Sequence, residues 1–131
     1  MRSESSFEID GDLIIIEATF VGPKGRDTAR LVLDTGSVLT TLIPAIAESI
    51  GYTSADRVAR SVVRSAVAEE PGYIVRLSHL TALGFTLPDV HVNVADLSHG
   101  IDGLLGMNFL SDFNLEIRPA ERRLIVERIT P

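Results

Sequence analysis

Leu31-Val32-Leu33-Asp34-Thr35-Gly36-Ser37 is the stretch on which the rest of the chain turns. Three apolar residues run into an acid, a hydroxyl, a glycine and a second hydroxyl. The apolar run reads as a buried strand. An acid at its end is costly to bury alone, so it needs donors nearby. Thr35 and Ser37 each bring a hydroxyl, and the backbone N–H groups bring more. Gly36 permits a backbone conformation that a Cβ resists. The pattern predicts one carboxylate held rigidly at the edge of a core. Asp-Thr-Gly by itself is often only a turn, because Asp and Thr bond their own backbone.

A second stretch changes that reading. Ile101-Asp102-Gly103-Leu104-Leu105-Gly106-Met107-Asn108-Phe109-Leu110 lies far downstream. Together the two stretches resemble the retropepsin-like (retroviral-type) aspartic protease family, in its bacterial-type branch. That family carries a hydrophobic-hydrophobic-Asp-Thr/Ser-Gly-Ala/Ser motif early, filled here from Val32 to Ser37. A hydrophobic-hydrophobic-Gly motif follows late and runs into a short helix. Leu104, Leu105 and Gly106 fill it. The resemblance spans residues 12 to 128. Each motif alone is a weak signal, and the two in order are a stronger one.

Composition bounds the function. The 131 residues suit one domain. We expect residues 1–11 to be a partly flexible N-terminal segment and 12–131 a single domain. A net charge of −6 argues against nucleic-acid binding, which needs a basic face. There is no cysteine, hence no disulfide and no thiolate chemistry. His79, His91 and His99 show no metal-ligand spacing, so neither metal nor cofactor is expected. Leu13 to Ile16 is far too short to span a bilayer. Met1 to Ser6 has no apolar signal core. The expectation is a cytoplasmic protein, unless the chain is cut from a longer anchored one.

Turn signals recur at short intervals, which reads as all-β. Phe7–Asp10, Leu13–Val21 and Thr28–Leu33 read as strands, the last two forming a hairpin that delivers Asp34. Val38–Ile43 reads as another strand. Pro44 starts a short helix that Gly51 ends. By spacing, Thr53–Gly72 suits an amphipathic helix; the resemblance implies a hairpin there, the flap, and we favour that hairpin, bent between Ser65 and Glu70. Tyr73–Leu83 and Val90–Val94 read as strands, with His91 and Asn93 directed to solvent. A short helix is expected over Asn108–Phe113, and strands over Leu115–Arg118 and Arg123–Ile129.

The resemblance adds further expectations. It implies half of a closed, barrel-like acid protease with one or two short helices and one flap hairpin per subunit. The flap tip falls on Ser65, Ala66, Val67 and Ala68, which lack the glycines usual there. Asp34, Thr35 and Gly36 would be the catalytic triplet. Thr35 would bond across a dimer axis, and Ser37 would bond the outer oxygen of Asp34. Leu104, Leu105 and Gly106 would pack under the active-site loop. Asn108 stands where the family often has Asp or Asn, and Met107 where retroviral enzymes favour Arg. The terminal strand Leu124–Ile129 would pair at the dimer interface, as terminal strands do in retropepsin-like dimers.

Metal-free amide hydrolysis without a nucleophilic side chain needs a water activated between two carboxylates. Only Asp34 has a buried-strand, hydroxyl and glycine setting. Asp102 is the nearest rival within the chain, and its context suits a turn. A two-fold homodimer supplies the second carboxylate as a second Asp34. The sequence therefore points to an aspartic endopeptidase acting on polypeptides as a homodimer. The alternatives are a catalytically inactive dimerisation or peptide-binding module of the same fold, and an unrelated small β domain.

Overall fold

The computed structural model describes residues 1–64, 69–97 and 100–129. The β-branched run Leu13–Gly22 forms β3, and Gly25–Leu33 forms β4. They pair antiparallel from Ile15↔Val32 to Gly22↔Gly25. β4 starts three residues earlier than its sequence suggests, because Gly25 takes a φ of 127° and closes the hairpin over Pro23 and Lys24. Alternation then sorts the faces. Ile16, Ala18, Phe20, Ala29 and Leu31 enter the core.

The remaining elements wrap around this hairpin. β1 is Arg2–Ser6 and β2 is Glu8–Asp10. β5 is Thr40–Leu42, and α1 is Pro44–Ser49 with its proline in the first turn. β6 is Ala59–Arg64, β7 Glu69–Ala82 and β8 Phe85–Val94. β9 is Gly103–Leu105 and α2 is Met107–Leu110. β10 is Phe113–Arg118 and β11 is Arg123–Arg128. The main sheet runs β2-β3-β4-β9-β5-β8-β7-β6. A further pairing of β3 with β7, from Ala18↔Ala82 to Val21↔His79, closes six of these strands into a ring. The fold is all-β and barrel-like with two short helices, as expected.

Several boundaries differ from the sequence reading. Only Thr40–Leu42 of the expected strand Val38–Ile43 pairs in the sheet. The carbonyls of Ser37 and Val38 instead accept from the N–H groups of Met107 and Asn108. α2 begins at Met107 and ends at Leu110, because Phe113 is already drawn into β10. β8 also takes in Phe85–Asp89, ahead of the expected strand Val90–Val94. Asp89 sits at φ 54°, a conformation Asp tolerates better than most residues. The Ser78–Asp89 pair drops out of the β7–β8 ladder there, and the Ser78 N–H donates to the Tyr52 hydroxyl at 3.3 Å. Asn93, expected at the surface, is buried and accepts from the Ser61 hydroxyl.

The two ends of the chain differ most. Arg2–Ser6, read as a loose polar tail, pairs in register with β11 from Arg2↔Glu127 to Ser6↔Arg123. β10 pairs with the other side of β11. The three form a separate sheet, β1-β11-β10, with Leu124 and Val126 fully buried in its middle strand. The terminal strand therefore offers no free edge to a partner.

Candidate active site

Asp34 follows the last paired residue of β4. Its N–H donates to the Leu105 carbonyl at 3.0 Å, extending the parallel β4–β9 ladder by one bond. The chain then turns, and the Ser37 N–H donates back to the Asp34 carbonyl at 3.2 Å. The carboxylate receives one donor on each oxygen. The Gly36 N–H donates to Oδ1 at 2.9 Å, and the Ser37 hydroxyl to Oδ2 at 2.9 Å. Two hydrogen bonds to the ionised form fix the side chain's orientation. Asp34 is half-buried, while Thr35 and Gly36 are exposed.

Glycine at position 36 is explained by space, not by dihedral angle. Its φ is not in the left-handed region. A Cβ there would lie 3.2 Å from Asp34 Oδ1, crowding the carboxylate.

The late motif lies directly against this turn. Leu33 pairs with Leu105, and Val32 with Leu104. Leu105 is fully buried and Leu104 half-buried. A Cβ on Gly106 would sit 2.6 Å from the backbone of Leu39 and 2.9 Å from the Ser37 carbonyl oxygen. The glycine thus allows the loop that follows Asp34 to pass. The Met107 N–H then reaches the Ser37 carbonyl at 2.7 Å, and the Asn108 N–H reaches that of Val38 at 2.9 Å.

Asn108 binds the loop through its side chain as well. Its Oδ1 accepts from the Thr40 N–H at 2.9 Å and from the Thr40 hydroxyl at 3.0 Å. Thr40 Oγ1 in turn accepts from the Gly106 N–H at 3.1 Å. Sequence reasoning passed over Thr40. The available signal was a pair of hydroxyl residues, Thr40 and Thr41, between Leu39 and Leu42, close behind the acid.

Asp34, Thr35, Gly36, Ser37, Leu104, Leu105, Gly106 and Asn108 are therefore gathered into one cluster. Asp102 is not part of it. Its Oδ2 accepts from the Arg30 N–H at 3.2 Å. Arg30 lies four residues before Asp34, about 13 Å along an extended strand. Asp102 lines a separate recess of about 280 Å³ with Asp10, Leu13, Ile15, Arg30 and Ile101. Another cavity, about 600 Å³, touches the cluster at Asn108 and is also lined by Leu39, Val58, Ile74, Val90 and His91.

The arms of the expected flap are a hairpin. β6 and β7 pair from Ala59↔Ile74 to Arg64↔Glu69. The expected tip, Ser65, Ala66, Val67 and Ala68, lies outside the described residues. At the hairpin base, burial and the nearby Glu48 and Asp56 carboxylates push the Tyr73 phenol above its ordinary pKa. Among the described residues no group of three His, Cys, Asp or Glu could hold a metal ion. No helix among them is long and apolar enough to cross a membrane.

Residues 16–109 match the family model described as aspartyl protease. The chain belongs to that family. Comparison with curated proteins found no similar sequence. Among solved structures, a retropepsin-like aspartic protease from Rickettsia conorii is 21% identical with a TM-score of 0.71. The match covers 96% of this chain and 91% of that one. The retroviral protease-like domain of Ddi1 from Leishmania major is 14% identical, with a TM-score of 0.58 and coverage of 90% and 94%. EIAV protease, in complex with the inhibitor HBY-793, is 16% identical, with a TM-score of 0.52 and coverage of 76% and 85%. The fold is thus retropepsin-like.

Proposed function

We propose that the protein is an aspartic endopeptidase that cleaves polypeptides as a homodimer, with Asp34 of each chain forming the catalytic pair. The observation that carries this reading is the carboxylate held by Gly36 and Ser37 on an exposed turn. The turn also lies against Leu104, Leu105 and Gly106, within the span that matches the aspartyl protease family, and this supports the same reading.

The chemistry needs one ionised and one protonated Asp34. The ionised carboxylate takes a proton from water as its oxygen attacks the peptide carbonyl carbon. The protonated partner donates to the carbonyl oxygen, giving a tetrahedral diol. Collapse of the diol breaks the C–N bond while a proton passes to the leaving nitrogen. Close like charges cannot both ionise, so the pair shares one proton over a window of pH. Thr35 is exposed, and among the described residues its hydroxyl has no partner. Both facts suit a bond across the dimer axis. The tip Ser65–Ala68 is assigned to covering the substrate.

One observation bears on how either dimer would form. β11 is paired on both sides within its own chain, so it cannot also pair with a partner strand. A dimer must then rest on other contacts, including the Thr35 turns. The test is incubation with a diverse peptide library between about pH 4 and pH 7, read by mass spectrometry. Cleavage that disappears in Asp34→Asn supports the protease. A stable dimer that binds peptides without cutting them supports the module.

A further inference from the structure

Sheet register carries a row of side chains across the face that bears Asp34. Ile15 pairs with Val32, Val32 with Leu104, Leu104 with Thr41, Thr41 with Asn93, and Asn93 with Ile74. Residues paired in register share one face of a sheet. Asp34 lies two positions beyond Val32, and its N–H continues the β4–β9 ladder. Its side chain therefore lies on that face too. Leu31, Leu42, Val92 and Leu105 point the other way, into the core.

The row changes character as it leaves Asp34. Val32 and Leu104 are apolar. Thr41 and Asn93, the next two, are polar, and each is only 5% exposed. Asn93 Oδ1 accepts from the Ser61 hydroxyl. Among the described residues Asn93 Nδ2 and the Thr41 hydroxyl bond to nothing, yet no fully enclosed side-chain polar atom lacks a partner. The small accessible surface of Thr41 and Asn93 therefore includes these two groups. They stand on adjacent strands, about 4.8 Å apart, and open onto the Asp34 face. Polar groups buried this deeply and left unpaired call for a function.

We propose that Thr41 and Asn93 form a polar subsite, which selects peptides with an uncharged hydrogen-bonding side chain (Asn, Gln, Ser or Thr) within about three residues of the cleaved bond. Cleavage rests on the reading above, whereas the two free polar groups do not. Reach sets the distance. Thr41 is two strand spacings from Val32, about 10 Å, and an extended peptide advances about 3.3 Å per residue. A two-fold pair of chains repeats the subsite on both sides of the bond. The chemistry follows from the donors. The Thr41 hydroxyl and the Asn93 N–H each offer a proton to a carbonyl or hydroxyl oxygen. An apolar side chain covers them and leaves both unpaired. No member of the row is charged, so a lysine or arginine finds no counter-charge there. A carboxylate meets the donors, but it enters on the same face as an ionised Asp34.

Cleavage profiling of the intact protein on a randomised peptide library reads the preference directly. Peptides with Asn, Gln, Ser or Thr at such a position are cut with a kcat/KM about tenfold or more above that of matched peptides with Leu or Val there. Thr41→Val keeps the shape and removes the hydroxyl. It lowers that ratio about tenfold, slowing polar peptides and speeding apolar ones, and Thr41→Ser restores it. A merely structural role for Thr41 slows every peptide alike, and that result overturns the proposal. So does a parent protein with no such preference, or with a preference for Asp or Glu, a measurement that needs no variant to fold. A parent that cuts nothing removes the catalytic reading alone. Equilibrium binding of the matched peptides, read by fluorescence polarisation, then decides the subsite. Binding about tenfold tighter for the polar peptides supports it, and equal or absent binding overturns it.

Discussion

The Ser61 hydroxyl on β6 donates to the Asn93 side chain on β8, passing over the intervening strand β7. The path exists because Ser61 pairs directly with Gly72. A Cβ on Gly72 would stand 2.9 Å from Ser61 Oγ and 2.7 Å from the Val94 carbonyl oxygen. Gly72 leaves a window on β7 through which its two neighbouring strands meet.

Gly72→Ala should therefore close that window and break the contact. Overpacking of this kind costs about 1–3 kcal/mol. Ser61→Ala removes only the donor and leaves a buried amide oxygen short of a partner, also costing about 1–3 kcal/mol. The two effects should be strongly non-additive in urea denaturation, because each removes the same bond.

Asp34→Asn should abolish cleavage while leaving the fold intact. The amide is nearly isosteric, and it still accepts one of the two donors on the carboxylate. Loss of acid–base chemistry predicts a fall of about 10²–10⁴-fold or more in kcat. Cleavage assays beside circular dichroism would show it, and a variant as active as the parent would remove Asp34 from the mechanism.

Thr35→Ala should weaken the dimer more than Ser37→Ala does. The Ser37 hydroxyl is engaged within its own chain at Asp34 Oδ2. Thr35 is exposed at the tip of the turn. A hydrogen bond lost at each of two symmetric positions corresponds to about 1–3 kcal/mol of association energy. Sedimentation equilibrium on both variants gives the comparison, with equal dissociation constants counting against a bond across the axis.

Gly106→Ala and Gly11→Ala should separate two reasons for glycine. A Cβ at Gly106 would meet backbone atoms of Leu39 at 2.6 Å, which no side-chain rotation relieves. We expect loss of about 3 kcal/mol or more, or failure to fold. Gly11 has open space around it and a φ of 60°, so only the left-handed backbone is penalised, by about 1–2 kcal/mol. Thermal melts of the two variants would show the ranking.

Asp27 offers a pH test away from the site. The Ser49 hydroxyl first, and the Thr28 N–H second, hold its carboxyl below the usual range. Both bonds favour the ionised form, so their contribution is present at neutral pH and lost as pH falls through the folded pKa. Ser49→Ala should move that pKa upward in an NMR titration of the Asp27 carboxyl.

The Asp34 turn was legible because its hydrogen bonding is local. An apolar strand, an acid and small donors within seven residues leave few other arrangements. Gly106 was legible as a motif, although its reason, backbone passing within 3 Å, appears only in three dimensions. Thr40 and Asn93 were not legible. Both are polar residues whose partners, Asn108 and Ser61, lie 68 and 32 positions away in sequence. Alternation alone sends Asn93 to solvent, and only the neighbouring strand shows otherwise. The pairing of Arg2–Ser6 with β11 was hidden for the same reason, since it joins opposite ends of the chain. A polar pentapeptide carries no hydrophobic signal for such a partner.

The ring closed by β3 and β7 also sets where the molecule can bend. Each strand of the ring is held on both flanks, so force applied to it is shared around a hoop. The β6–β7 hairpin is different. Glu69 to Gly72 pair with β6 alone, and β7 gains its β8 neighbour only from Tyr73 onward. The hairpin is a beam overhanging a rigid rim, and Ser61 and Asn93 stand at its fulcrum. Among the described residues compliance is thus concentrated in Ala59–Arg64 and Glu69–Gly72, while the frame that carries Asp34 stays stiff.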